Sequence, residues 1–217
     1  MIKKIQMVDL YNQFNSIKKD IFFEFDKIFE STSFINGPIV KEFQYDLEKY
    51  LDVNNVIPCA NGTDALQIIM MSYGFKRNSE IIVPSFTYVA TVEVIALLGL
   101  KPVFVEVDPI TFNIDIDDIQ KNLTKNTAAI VPVHLYGQCA NMEEIKKIVQ
   151  GTDIKIIEDT AQALGARFKF SNNTFQKAGT IGDAGSTSFF PSKNLGCYGD
   201  GGAIFTNDED FAKKIKM

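Results

Sequence analysis

A strand-like apolar run leads into Pro191-Ser192-Lys193, and glycines follow at 196, 199, 201 and 202. Most lysines are solvated surface groups. A lysine just past a buried strand, beside glycine-rich backbone, instead stands where ligands approach closely. Partial desolvation there suits an amine that bonds covalently to a carbonyl. Ser188, in the same turn region, offers a hydroxyl to an anion. A second segment, KIIEDTAQALGA, puts Asp159 at the end of another apolar run. A buried carboxylate needs a cationic or hydrogen-bonding partner. A protonated pyridine nitrogen would serve, with Gln162 reaching a phenolic oxygen on the same side of the turn. The competing reading, an N-cap for the next helix, is equally consistent with Asp159.

A third segment, CANGTDAL (59–66), reads as strand, tight turn and apolar helix. Gly62, Thr63 and Asp64 at that junction would present backbone N–H groups at the positive end of a helix, which suits phosphate. The segment is neither a P-loop nor a dinucleotide fingerprint, and simple capping produces the same pattern. A fourth, PSFTYVAT (84–91), sets Phe86 and Tyr88 at a strand end, either as core or as a plate for a flat ring. His134 and Tyr136 occupy a comparable place in VPVHLYGQ, and a satisfied structural role is preferred for His134. Each signal is modest alone. Together they supply an anion cradle, an aromatic plate, a buried acid with an amide, a hydroxyl and an amine. Those are the parts that hold pyridoxal 5'-phosphate and let it act as an electron sink.

The elements that must position these residues are apolar runs at 56–59, 81–83, 103–107, 128–133, 155–157, 186–189 and 203–205. Runs without polar alternation suit strands buried on both faces. Helical patterns lie between many of them: 63–73 and 91–98, each stopped by a glycine, and the amphipathic 115–123 and 141–150. The alternation predicts an α/β domain with a mostly parallel sheet. Residues 1–50 read as a helical, aromatic-rich arm interrupted at Asn36-Gly37-Pro38, and 51–217 as the ligand-binding domain. Asn207 is a plausible N-cap for a last helix that stops without a C-cap, which suggests a fragment.

The 217 residues are 46% hydrophobic and 23% charged, with a net charge of −5. The composition is that of a globular chain. No basic run points to nucleic acid. The longest apolar stretch is too short to span a bilayer, and the start lacks a signal-peptide core. Three scattered cysteines and one histidine make neither a disulfide framework nor a metal site. A reducing cytoplasm is the expected compartment.

Several segments resemble the DegT/StrS family of sugar-nucleotide aminotransferases, of the aspartate-aminotransferase fold type. They are MVDLYNQF, FINGPIVKEF, CANGTDAL, PSFTYVATVEVIALLGLKPVFVEVDPITFNID, VPVHLYGQCA, IEDTAQALGA and SFFPSKNLGCYGDGGAIFTND. The resemblance implies a three-layer large domain with a mostly parallel seven-stranded sheet. It implies Lys193 as the Schiff-base lysine, Asp159 on the pyridinium nitrogen, Gln162 beside the ring oxygen and Tyr88 stacked on the ring. Gly62, Thr63, Asp64 and Ser188 would hold the phosphate. Relatives with His in place of the lysine catalyse dehydration, so Lys193 favours transamination.

The implied reaction moves an amino group from glutamate to a nucleotide-linked keto sugar, for surface polysaccharide such as O-antigen. The motif forms are closest to members that aminate C3, among them those acting on UDP-linked N-acetyl-3-oxoglucuronate. dTDP-linked 3-keto-6-deoxy sugars stay open. Family members continue into a smaller C-terminal domain and are expected to be homodimers. The 217-residue piece alone is therefore expected to be poorly soluble or inactive. Two other readings are a truncated remnant that binds cofactor or partner without turnover, and a nucleotide-binding module, which the missing phosphate-loop and dinucleotide motifs oppose.

Overall fold

The computed structural model describes residues 5–217; residues 1–4 of the expected arm lie outside the described residues. The chain resolves into two compact units, Met1–Asp46 and Leu47–Met217, divided inside the second helix. In the first unit α1 spans Leu10–Ser31. Asp9 caps its start by accepting from the Asn12 N–H, and Thr32 ends it in the left-handed region (φ 51°). No residue of α1 is buried, and Phe22, Phe25 and Phe29 meet edge to face along it. Pro38 opens α2 (Pro38–Leu51), where a missing N–H costs nothing.

The second unit is built on seven strands: β1 (Asn55–Cys59), β2 (Glu80–Pro84), β3 (Lys101–Val105), β4 (Thr127–Ile130), β5 (Lys155–Asp159), β8 (Ala184–Ser188) and β9 (Gly202–Thr206). Their order across the sheet is β1-β9-β8-β5-β4-β2-β3. Only β9 opposes the rest, being antiparallel to both β1 and β8. All seven expected strands are present. The expected 128–133 run leaves the sheet after Ile130, because Pro132 follows, and Val133 makes only a bridge to Asp159. Between β5 and β8 lies a hairpin that the apolar pattern did not signal, β6 (Arg167–Lys169) with β7 (Phe175–Lys177). Its strands are short and largely exposed, so no buried run marks them.

The apolar strand residues divide by parity, as a pleated strand requires. Ile81, Val83, Ala129, Val131 and Ile157 pack with α3 (Gly62–Tyr73), α4 (Ala90–Leu97) and α7 (Glu209–Ile215). Ile82, Ile130 and Ile156 pack on the other face with α5 (Ile116–Asn122) and α6 (Met142–Val149). Three layers follow, which is why the strands read as unbroken apolar runs. Gly74 closes α3 in the left-handed region (φ 67°), as its position predicts. The last helix departs from expectation. Asp208 is its N-cap, accepting from the Asp210 and Phe211 N–H groups, while the Asn207 side chain accepts from the Asn54 N–H at 3.0 Å. Asp208 outcompetes Asn207 because its carboxylate answers the helix dipole one residue later.

The parallel strands deliver their carboxyl ends to one edge. The turns after β1, β2, β5 and β8, together with the start of β9, therefore converge there. The opposite edge has its own recess of about 860 Å³, lined by residues 74–79, 124–128 and 152–154 that lead into β2, β4 and β5. It holds none of the residues singled out for chemistry.

Candidate active site

A cavity of about 630 Å³ opens at the carboxyl edge, and Gly62, Thr63, Asp64, Tyr88, Asp159, Gln162, Ser188 and Lys193 all line it. Residues remote in the chain are thus brought together as the sequence suggested. Phe86 is not among them; it faces Phe112 instead, with ring centroids 5.8 Å apart. Tyr88 stands at the rim, 70% exposed.

The anion end of the cavity is the start of α3. Asn61 caps it, taking the Asp64 N–H on its side chain at 2.8 Å and the Ala65 N–H on its carbonyl at 3.0 Å. The Asp64 N–H, expected in the cradle, is therefore already committed. The N–H groups of Gly62 and Thr63 are the ones left at the helix start for an external acceptor. Ser188 lies against them. A Cβ on Gly62 would sit 2.8 Å from the Ser188 Cβ and 3.3 Å from its Cα. Ser188 Oγ accepts from the Phe190 N–H at 3.2 Å, which leaves its proton to donate. Gly202 allows the same approach from β9, since a Cβ there would meet the Asn61 carbonyl carbon at 2.3 Å. Gly62→Ala is expected to push α3 off β8 and to cost about 1–3 kcal/mol, the usual range for overpacking. Binding of pyridoxal phosphate should weaken at least tenfold, read by titrating the apoprotein and following its absorbance; unchanged affinity would remove Gly62 from the cradle.

Asp159 ends β5, buried, with its carboxylate in the cavity. One oxygen accepts from the Ala161 N–H at 3.0 Å and the other from the Thr91 hydroxyl at 2.8 Å. It caps no helix, because a turn follows it. Each oxygen retains capacity for a further donor. Gln162 is oriented by the Tyr136 N–H, which donates to its Oε1 at 2.8 Å, so its amide nitrogen is the end left to donate elsewhere. That N–H is available because Tyr136 takes the left-handed conformation (φ 55°), which a bulky residue adopts only under constraint. Asn113 supplies the constraint. Its Oδ1 accepts from the Leu135 N–H, and its amide donates to the Gln138 carbonyl, both at 3.3 Å.

Behind the cavity His134 is paired with Glu158, a residue that no motif marks. Glu158 is fully buried and accepts four hydrogen bonds: from His134 Nε2 at 2.8 Å and from the N–H groups of Gly179, Ile181 and Gly182 at 2.7–2.9 Å. His134 Nδ1 accepts from the Ala140 N–H at 3.0 Å, so the ring proton is on Nε2. The histidine is structural, as preferred from its context. The signal for Glu158 was present in the sequence: a carboxylate inside an apolar strand must find donors. Thr91, Asn113 and Asp200, which lines the rim, were likewise not singled out.

Lys193 is half-buried on the β8–β9 connection, with its backbone N–H bonded to the Phe190 carbonyl at 2.8 Å. The loop is pinned again where the Phe189 N–H meets the Gly201 carbonyl and the Cys197 N–H meets the Phe189 carbonyl. The Lys193 amine makes no hydrogen bond or ion pair with the described residues. Cys59, beneath the cradle, is no rival nucleophile: burial, against a hydrogen bond to Asn61, pushes its thiol up to about 11.

The chain belongs to the DegT/DnrJ/EryC1/StrS aminotransferase family, whose family model matches residues 15–217. A UDP-2-acetamido-2-deoxy-3-oxo-D-glucuronate aminotransferase of Pseudomonas aeruginosa is 45% identical to it over 213 residues, covering 98% of this chain and 58% of that protein. The crystal structure of a family aminotransferase from Brucella abortus superposes with a TM-score of 0.88 at 41% identity, over 98% of this chain and 58% of that one. NtdA of Bacillus subtilis, solved with bound cofactor PMP, gives 0.88 at 32% identity, over 99% and 48%. The chain thus spans about half the length of the proteins it matches.

The cavity fits pyridoxal phosphate on its own terms. It has a helix start with uncommitted N–H groups, kept open by a glycine that packing forbids to grow a side chain. It has the buried Asp159 carboxyl group in its lining, and a lysine whose amine makes no bond with the described residues.

Proposed function

We propose that this chain is the cofactor-binding part of a pyridoxal-phosphate-dependent aminotransferase that moves an amino group from glutamate to C3 of a UDP-linked keto sugar. Residues 51–217 are the cofactor-binding domain in this reading. The observation that carries it is the gathering of cradle, acid, amide and unpaired Lys193 in one cavity. The relatives' substrates support the choice of sugar. The protein acts in the cytoplasm, as a homodimer, in the synthesis of surface polysaccharide. Among the described residues, nothing favours the alternative of a binding remnant without turnover.

The Gly62 and Thr63 N–H groups and the hydroxyls of Thr63 and Ser188 would hold the phosphate. Asp159 would accept from the ring nitrogen, Gln162 would donate to the ring oxygen and Tyr88 would cover the ring. When bound, the cofactor supplies an electron sink for the carbon that gains or loses the amine. Lys193 is the covalent anchor and the proton carrier. Once the incoming amine has displaced it, its Nζ would remove a proton from the α-carbon of the donor in one half-reaction and deliver one to the sugar carbon in the other. Asp159 and Gln162 would orient the ring for this short transfer.

The test is amino transfer by the intact protein. Glutamate and a UDP-linked 3-keto sugar should yield 2-oxoglutarate and a 3-amino sugar in equal amounts. A dTDP-linked 3-keto sugar, run alongside, should react more slowly. Failure to form a 3-amino sugar from either nucleotide-linked substrate would overturn the assignment.

A further inference from the structure

Asp159 is held by a donor that belongs to none of the groups assigned above. Thr91 is fully buried in the first turn of α4, and its hydroxyl points away from its own helix to Asp159 Oδ2 at 2.8 Å. Thr87 Oγ1 lies 3.4 Å from Thr91 Oγ1. A carboxylate with no proton can only accept, so Thr91 is the donor to Asp159, and Thr87 in turn donates to Thr91. A chain of hydroxyls therefore runs from the cavity wall to one carboxylate oxygen, while the Ala161 N–H holds the other.

We infer that Thr91, backed by Thr87, is the positioning residue that fixes the plane of the Asp159 carboxylate toward the cofactor ring. This rests on the reading of Asp159 as the partner of the ring nitrogen. The two holds come from different elements. The turn after β5 sets Oδ1 and α4 sets Oδ2, so the carboxylate cannot swing about its side-chain bond. Aligned donors also polarise one another, which strengthens the hold on a buried charge. The same segment, 84–91, supplies Tyr88 to the rim. A single strand-to-helix junction thus sets both the ring's cover and the orientation of its acid.

The test is the affinity of the intact apoprotein for pyridoxal phosphate, with the absorption maximum of the bound cofactor as a second readout. Thr91→Val keeps shape and removes the donor; losing a hydrogen bond to a charged group should weaken binding about ten- to a hundredfold and move the absorption band. Thr91→Ser restores the hydroxyl and should return both to within about threefold of the wild type, the tolerance of an otherwise neutral change. In an Asp159→Asn background Thr91→Val should add little, because the carboxylate it serves is gone. Three results would each overturn the inference: wild-type affinity and spectrum in Thr91→Val, failure of serine to rescue, or full additivity in the double variant. Should Thr91→Val not fold, the serine variant and Thr87→Val decide, the latter predicted to weaken binding severalfold. A wild-type protein that takes up no cofactor would instead defeat the function proposed above.

Discussion

Replacing Lys193 by alanine is expected to abolish the borohydride-trappable covalent link to the cofactor and to lower amino transfer by about a thousandfold or more, the scale of losing a covalent anchor that is also the general base. Among the described residues Lys193 is the one lysine that lines the cavity; the residue is half-buried and its amine is unpaired. Lys193→Arg should fail equally, because a guanidinium neither bonds the aldehyde nor gives up a proton at neutral pH. Borohydride reduction of the wild type followed by peptide mass spectrometry should find the cofactor on the peptide bearing Lys193. An adduct on another lysine would unseat the whole arrangement. The cradle and the acid lie on other strands, so both variants should still take up the cofactor non-covalently.

The second large effect is on stability. Glu158→Leu leaves three backbone N–H groups and the His134 ring proton without their acceptor in and beside the buried core. Each orphaned donor costs about 1–3 kcal/mol, and the loss of the whole hub should exceed about 4 kcal/mol. Domains are stable by about 5–15 kcal/mol, so the variant should be mostly insoluble. Glu158→Gln is the gentler probe. It keeps one acceptor but turns an NH2 group against donors, and should lower Tm by roughly 6–12 °C, as expected for about 3 kcal/mol in a chain of this size. Differential scanning calorimetry reads the shift. A Glu158→Gln protein melting with the wild type would mean that the hub contributes little. His134→Phe should sit between the two, since it strands the Ala140 N–H and removes one donor from Glu158.

The sequence displayed those parts of the molecule whose physics is local. Parity-free apolar runs exposed the seven sheet strands, and Gly74 and Gly99 marked helix ends, both at positive φ. Lys193, Asp159 and the Gly62–Thr63 turn were legible because amine, acid and glycine each stood at the end of such a run. Thr91 and Asn113 were not. Their importance lies in which distant group they touch, Asp159 in one case and the 135–138 turn in the other, and no spacing rule encodes that. Asp64 shows the limit from the other side. It stands in the first turn of α3, where its N–H is taken by the Asn61 side chain, a pairing that composition and spacing do not distinguish from a group left open to an anion. The β6–β7 hairpin escaped because exposed strands of three residues bury too little to leave a pattern.

The reversed direction of β9 has a bearing on how the site assembles as the chain folds. β8 and β9 are neighbours in sequence as well as in the sheet, so the stretch that carries Lys193 closes as a hairpin between them. Joining nearby segments forfeits less chain entropy than joining remote ones. The Asn61–Gly62 turn, by contrast, reaches Gly202 and Ser188 only after most of the polypeptide has been gathered. The amine's loop is therefore expected to close early, as a locally encoded piece of the structure, and the anion cradle late, when the first strand docks at the sheet's margin.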